Sequence, residues 1–136
     1  MRIKLLFCVI VGVGLALFTG CVSDPERADG ARQADPQSLV GRWRVDLRPT
    51  PDAEAYYQSF VVDSVEERTF TGTFYGSPIS EARLNADWGD VAFSFVTSDG
   101  SGPYLHSGIL RGGVLEGMSN STGRGFLSIW RAEREE

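Results

Sequence analysis

The 136-residue sequence contains few cysteine, lysine and histidine residues. Both cysteines lie within the first 21 positions, so a disulfide scaffold, a cysteine metal site and a thiol nucleophile are excluded for the rest of the chain. His106 is the only histidine, which is poor support for a metal site. Lys4 is the only lysine, and 18 acidic residues against 13 basic ones give a net charge of −5. Such a surface repels phosphate backbones, so nucleic-acid binding is not expected.

The first 20 residues have the layout of a secretory signal peptide. Arg2 and Lys4 supply positive charge, residues 5–18 form an uncharged apolar run, and Thr19 and Gly20 are small. This order of basic, apolar and small residues is typical of a cleaved signal. The apolar run is shorter than the roughly 20 residues that a membrane-spanning helix needs. We therefore predict that residues 1–20 are a signal peptide and not a span of the mature protein.

Residues 18–21 read Phe-Thr-Gly-Cys, which resembles the lipobox of bacterial lipoproteins. The resemblance implies cleavage before Cys21, lipidation of its thiol, acylation of the new amino terminus with fatty acids such as palmitate, and attachment to a membrane. Neither Val22 nor Ser23 is the aspartate that the resemblance associates with retention in the inner membrane. We expect a location in the bacterial cell envelope, lipid-anchored at the outer membrane and facing the periplasm. Cleavage would leave 11 arginines against 18 acidic residues, a net charge of −7.

The remaining chain divides into a linker and one domain. Residues 22–38 carry prolines, mixed charge and no aromatic side chain, so they bury too little to offset their ordering entropy. We predict that residues 21–38, the lipidated cysteine and the segment after it, form a flexible tether. Residues 39–136 then form a single domain, long enough for one hydrophobic core.

Alternation of apolar and polar residues with a period of two dominates the domain, and no helical stripe of useful length is present. Asp99-Gly100 and Gly112-Gly113 mark tight turns. Short connections require antiparallel neighbours. We predict an all-β fold of about eight antiparallel strands in an up-and-down barrel, with a β-sandwich as the alternative. The expected strands cover 42–47, 57–65, 69–77, 80–88, 91–97, 104–110, 114–120 and 125–131.

The motif Gly41-Arg42-Trp43 at the start of the first strand resembles the G-x-W signature of lipocalins and related small barrels. Residues 70–75 are also similar to a strand of avidin-type barrels. The lipocalin resemblance implies that Trp43, preceded by Gly41, plugs one end of the barrel. It also implies that an arginine from the last strand packs over the tryptophan. Arg131 is the expected arginine, with Arg134 as the alternative.

The aromatic residues divide into core and site candidates. We expect a core drawn mainly from Trp43, Phe60, Phe70, Phe74, Trp88, Phe93, Phe95, Phe126 and Trp130. Tyrosines combine an apolar body with a polar tip, so Tyr75 and Tyr104 are ligand-binding candidates, together with His106. Alternation along 104–110 does not decide whether His106 or the more apolar Leu105 and Ile109 point inward.

No catalytic group is apparent in the sequence. Glu81, Arg83 and Asp87 share one face of a predicted strand, opposite Ala82 and Leu84, and such groups usually form surface ion pairs. No serine has a partner base or a nucleophile elbow. We therefore expect a protein that is not an enzyme and needs neither a cofactor nor a metal.

Two functions remain open. The barrel could bind a small apolar or amphipathic ligand in a cavity of a few hundred cubic ångströms at its open mouth. Alternatively, a filled barrel could be an interaction or inhibitor module of the envelope, whose acidic, tyrosine-bearing rim binds a basic envelope protein.

Overall fold

A computed structural model describes residues 33–136, so Cys21, the predicted signal peptide and most of the predicted tether lie outside the described residues. Within this range most residues lie in β-strands, and the helical elements are two short 3-10 helices. None of the helices in residues 33–136 has the length and apolar character needed to cross a membrane. The nine strands are β1 Gly41–Asp46, β2 Tyr57–Glu66, β3 Thr69–Phe74, β4 Ser77–Pro78, β5 Ser80–Asn85, β6 Val91–Asp99, β7 Gly102–Arg111, β8 Val114–Ser121 and β9 Phe126–Arg134.

The strands form one antiparallel sheet in the order β4-β3-β2-β1-β9-β8-β7-β6-β5. Strands that follow each other in sequence are therefore neighbours, and β9 pairs with β1 to bring the two halves together. At the remaining seam, the Leu84 amide N–H donates to the Arg68 carbonyl at 2.9 Å, and Thr69 Oγ1 donates to the Ala82 carbonyl at 3.0 Å. The sheet is thus a nearly closed up-and-down barrel, which confirms the predicted all-β antiparallel class.

The main difference from the predicted strands is a hairpin turn at Tyr75 and Gly76. Both residues have positive φ, 53° and 76°, as a tight two-residue hairpin requires. The expected strand 69–77 is therefore split between β3 and β4. Only Ile79 separates β4 from β5, and its amide N–H donates to the Gly72 carbonyl at 3.0 Å. Together β4 and β5 form the part of the wall between β3 and β6, where the single strand 80–88 is predicted.

A 3-10 helix, Pro36–Leu39, precedes the barrel and occupies the last residues of the predicted tether. The Asp35 carboxylate caps it by accepting a hydrogen bond from the Gln37 amide at 2.9 Å. Leu39 is fully buried against the core. Ordering these residues is favourable because this apolar side chain leaves water.

The core is a cluster of aromatic rings in the half of the barrel nearer the 3-10 helix. Phe60 lies at its centre, with ring centroids of Phe74, Phe93 and Phe95 at 5.6, 5.8 and 5.3 Å. Two inward glycines, Gly108 and Gly117, are cross-strand partners on β7 and β8. They leave space for large rings, since a Cβ at Gly108 would lie 2.6 Å from the Phe93 ring.

Two aromatic residues that were expected in the core are at the surface. Trp88 is 88% exposed because β5 ends at Asn85, before the alternation of the predicted strand could turn this side chain inward. Phe126 is partly exposed at the first position of β9. The other seven predicted core aromatics are buried.

Candidate functional site

One end of the barrel is closed by Trp43, which is fully buried on β1. Its indole Nε1 donates to the Leu39 carbonyl at 2.9 Å, so the 3-10 helix and the tryptophan close this end together. The Arg134 guanidinium lies 4.2 Å from the centre of the Trp43 ring, a cation–π contact. Arg134 also donates to the Val40 carbonyl at 2.8 Å and to the Ser38 carbonyl.

Arg134, the alternative named from the sequence, therefore covers the plug, and Arg131 does not. Register explains the difference, because Trp43 pairs directly with Arg134 in the β1–β9 ladder. Arg131 points outward and forms an exposed ion pair with Glu116 at 3.5 Å. Gly41 has a φ of 133°, and a Cβ at this position would overlap the Arg134 guanidinium. Glycine at position 41 thus leaves the space that the arginine occupies.

The opposite end of the barrel is open and contains a cavity of about 370 Å³. The connections at this end are the segment between β1 and β2 and the turns that come after β3, β6 and β8. The volume lies near the lower limit of small-molecule sites, roughly 300–1,000 Å³. The wall includes Leu47, Tyr56, Phe74, Tyr75, Ser77, Thr97, Ser98, Asp99, Tyr104, His106, Ser119, Arg124, Phe126 and Ser128.

The structure brings all three predicted ligand-binding residues to this cavity. Tyr104 and His106 point inward from β7, and Tyr75 lies in the β3–β4 turn. On β7 the inward face is therefore the one that carries the histidine, and Leu105 and Ile109 are exposed. The alternation in the sequence predicts which residues of β7 share a face, but it does not determine which of the two faces is buried.

The bottom of the cavity is a buried hydrogen-bonded chain that we call the polar floor, consisting of Thr97, His106, Ser119 and Trp130. Trp130 Nε1 donates to Ser119 Oγ at 2.9 Å. A hydrogen bond of 2.7 Å joins Ser119 Oγ to His106 Nδ1, and another of 2.9 Å joins His106 Nε2 to Thr97 Oγ1. The imidazole also packs between aromatic rings, with centroids of Phe74 and Phe95 at 4.5 and 4.6 Å.

Burial lowers the pKa of His106 from 6.5 to about 4. The cause is desolvation, since an imidazolium in this position would lose its hydration. The imidazole is therefore neutral at physiological pH, with one N–H donor and one acceptor nitrogen. Thr97 and Ser119 were not recognised from the sequence. The sequence signal for each is a polar residue on a strand face whose other residues are apolar or glycine. Thr97 shares its face with Phe95 on β6, and Ser119 shares its face with Gly117 on β8.

The rim of the cavity carries tyrosines and one pair of opposite charges. The Tyr56 and Tyr75 hydroxyls are in contact, which connects the β1–β2 segment to the β3–β4 turn and raises the pKa of Tyr75. Arg124 donates to the Tyr104 hydroxyl. The Ser101 amide donates to Asp99 at 2.7 Å and holds the pKa of this carboxyl below its usual value. Asp99 and Arg124 therefore carry opposite charges at neutral pH.

The acidic residues of β5 and its following loop belong to the outer surface. Asp87 accepts a hydrogen bond from Arg68 at 2.7 Å, and Asp90 pairs with Arg111 at 2.7 Å. Glu81 and Arg83 are exposed, as expected for surface charges. Within residues 33–136, no three histidine, cysteine or carboxylate side chains are grouped in a way that could hold a metal ion.

The described residues form a small up-and-down β-barrel with one plugged end and one open end. This architecture is consistent with a lipocalin-like domain. Comparisons of the chain with models of protein families, with curated proteins and with solved structures found no match.

Proposed function

We propose that the protein is a lipid-anchored component of a bacterial cell envelope, without catalytic activity, whose barrel binds a small amphipathic molecule. The open cavity carries the ligand-binding part of this proposal. Its wall combines apolar and aromatic surfaces with a few buried polar groups, which is the composition typical of small-molecule sites. Side chains can completely fill the interior of a barrel of about eight strands. The unfilled volume in this barrel therefore supports a ligand-binding function.

The anchoring part of the proposal rests on the signal layout and the lipobox. The described chain begins at the plugged end, where Gln33 Nε2 donates to Asp87 at 3.5 Å. A tether that carries a lipid on Cys21 would therefore join the barrel at the end opposite the mouth. Several acyl chains would hold the protein stably, since each buried CH2 contributes about 0.8 kcal/mol.

Mass spectrometry and fractionation test the anchor. The purified wild-type protein is expected to begin at Cys21 with the mass of its acyl groups and to be recovered in the membrane fraction. Cys21→Ser should lose both properties, and Cys8→Ser, the control inside the predicted signal, should keep both. An intact and unmodified amino terminus would refute the anchor and leave the barrel proposal standing.

Titration with the neutral fluorescent probe N-phenyl-1-naphthylamine tests the cavity. Saturable binding at one site is expected for the full chain. Ser128 lines the cavity, so Ser128→Phe should abolish binding by filling it. Ser94 is exposed on the outside of β6, and Ser94→Phe is the matched control that should bind normally. Equal binding by both variants, with both shown by thermal unfolding to be folded, would refute the proposal.

A second candidate function, an interaction module of the envelope, is favoured by an apolar patch on the outside of the barrel. Leu127 and Ile129 on β9 are 65% and 75% exposed, and Met118 on β8 is the cross-strand partner of Ile129. Contiguous exposed apolar side chains of this kind often mark protein contacts. A basic envelope protein that is recovered from solubilised membranes by the wild type, lost with Ile129→Glu and retained with Thr71→Glu would support this function. Recovery of no specific protein at low and moderate salt would refute it.

A further inference from the structure

The polar floor contains one more donor hydrogen than it uses in its own hydrogen bonds. With a neutral imidazole, each of Trp130, Ser119, His106 and Thr97 carries one N–H or O–H hydrogen. Three hydrogen bonds join these four groups, at 2.9, 2.7 and 2.9 Å. Three hydrogens are therefore engaged, and one remains.

The position of the remaining hydrogen depends on the two tautomers of the imidazole. The Trp130 indole can only donate, so its hydrogen is always directed to Ser119 Oγ. If Ser119 donates to His106 Nδ1, then Nε2–H donates to Thr97 and the Thr97 hydroxyl hydrogen is left over. If Nδ1–H donates to Ser119, then Thr97 donates to Nε2 and the Ser119 hydroxyl hydrogen is left over. In either tautomer the free O–H belongs to a residue that lines the cavity.

The polar floor offers this hydrogen no acceptor. Thr97 and Ser119 are 5% and 4% exposed, and within residues 33–136 neither hydroxyl makes a side-chain hydrogen bond outside the polar floor. A buried donor without a partner is unfavourable. A ligand that fills the cavity and excludes water must therefore accept this hydrogen, or binding leaves the donor unsatisfied.

The charges of the cavity wall indicate that the ligand is neutral. Among the described residues of the wall, Asp99 and Arg124 are the only charged ones, and Arg124 already donates to the Tyr104 hydroxyl. The floor itself contains no charged group. An ionised head placed there would lose its hydration without gaining a counter-ion.

On the basis of the proposed ligand-binding function, we propose that the cavity selects a neutral, ring-sized amphiphile that places a carbonyl or ether oxygen against Thr97 or Ser119. Its apolar body would lie along Leu47, Phe74 and Phe126 towards the mouth. The volume of about 370 Å³ suits such a molecule better than a long acyl chain.

Three probes of similar shape test the proposal by calorimetric titration of the full chain at pH 7. They are 2-acetylnaphthalene, which has a carbonyl acceptor, 2-ethylnaphthalene, which has none, and 2-naphthoate, which is charged. The ketone should bind roughly ten- to a hundredfold more tightly than the hydrocarbon, although it is the less hydrophobic of the two. The naphthoate should bind more weakly than the ketone.

An apolar-floor variant, Thr97→Val/His106→Phe/Ser119→Ala/Trp130→Phe, removes every donor of the polar floor and should remove or reverse the preference for the ketone. Thr71→Val, an exposed threonine on the outside of β3, is the control and should leave the preference unchanged. If the combined variant does not fold, the carbonyl stretching frequency of the ketone bound to the wild type replaces it. This frequency should be lower than in cyclohexane.

The outcomes separate this inference from the function on which it rests. Equal affinity for the ketone and the hydrocarbon, tighter binding of the naphthoate, or an unshifted carbonyl frequency would overturn the inference while leaving a ligand-binding barrel. Absence of binding by all three probes and by N-phenyl-1-naphthylamine would overturn both.

Discussion

Acidification should destabilise the barrel through His106. The side chain is 4% exposed, and burial lowers its pKa from 6.5 to about 4. In the unfolded chain the imidazole binds a proton below its ordinary pKa of 6.5, whereas in the folded barrel it does so only near pH 4. As far as His106 is concerned, the free energy of unfolding is therefore highest above pH 6.5 and decreases as the pH falls towards 4.

The magnitude depends on the difference between the two pKa values. At about 1.4 kcal/mol per pH unit, the full window between pH 6.5 and 4 corresponds to roughly 3 kcal/mol. Most of this, about 2.5 kcal/mol, should be lost between pH 7 and pH 4.5. The protonated ring would donate to both Ser119 and Thr97, so the hydroxyl hydrogens of both residues would be left without an acceptor in the polar floor.

Urea unfolding followed by tryptophan fluorescence at pH 7, 5.5 and 4.5 measures this loss. His106→Gln lacks the titrating group and is the control, so its free energy of unfolding should change much less over this range. Hydrogen bonds from Arg48 to Asp46 and from the Ser101 amide to Asp99 hold the pKa values of these two carboxyls below their ordinary range, so their contribution is lost at lower pH. Equal losses in the wild type and in His106→Gln would refute the reasoning.

Two further substitutions test the packing of the barrel. Gly117→Ala would place a Cβ 2.7 Å from the Ser107 carbonyl oxygen and against the Trp130 ring, so overpacking should lower the free energy of unfolding by about 1–3 kcal/mol. Gly123→Ala, with open space around it, is the control, and equal effects of the two substitutions in urea unfolding would contradict the packing. Arg134→Gln should cost about 1–2 kcal/mol because it removes the cation–π contact and two carbonyl hydrogen bonds, whereas Arg131→Gln should change stability by less than about 0.5 kcal/mol. A larger effect of Arg131→Gln would mean that Arg134 is the wrong arginine for the plug.

The antiparallel meander could be predicted because its determinants are local. Alternation along each strand and turn pairs such as Asp99-Gly100 depend on neighbouring residues only. The hairpin at Tyr75-Gly76 was missed because tyrosine rarely adopts positive φ, so the pair did not resemble a turn. Trp88 was expected inside because the alternation continues past Asn85 in sequence although the strand ends there.

The arrangement of the two barrel ends could be predicted only in part, because it depends on contacts between distant strands. Arg134 covers Trp43 as a consequence of the β1–β9 register, which no local pattern specifies. Parity nevertheless contained a clue, since Arg131 comes directly after Trp130 and must point to the opposite face. The inward position of His106 depends likewise on Thr97 and Ser119, the polar partners that strands β6 and β8 provide.

The same inward positions explain why the barrel is filled at one end and hollow at the other. From the plugged end to the mouth, the inward side chains of β6 run Val91, Phe93, Phe95, Thr97. On β8 they run Leu115, Gly117, Ser119, Ser121, and on β9 Ala132, Trp130, Ser128, Phe126. Large rings therefore occupy the half of the barrel nearer the plugged end, where Gly108 and Gly117 make room for them. Small hydroxyl side chains line much of the half nearer the mouth. Small side chains leave part of the interior unfilled, and their hydroxyl groups supply hydrogen-bond donors. The cavity and the unpaired O–H of the polar floor therefore arise from the same few positions. Enlarging one of them, as in Ser128→Phe, should therefore remove the volume and leave the plugged half intact.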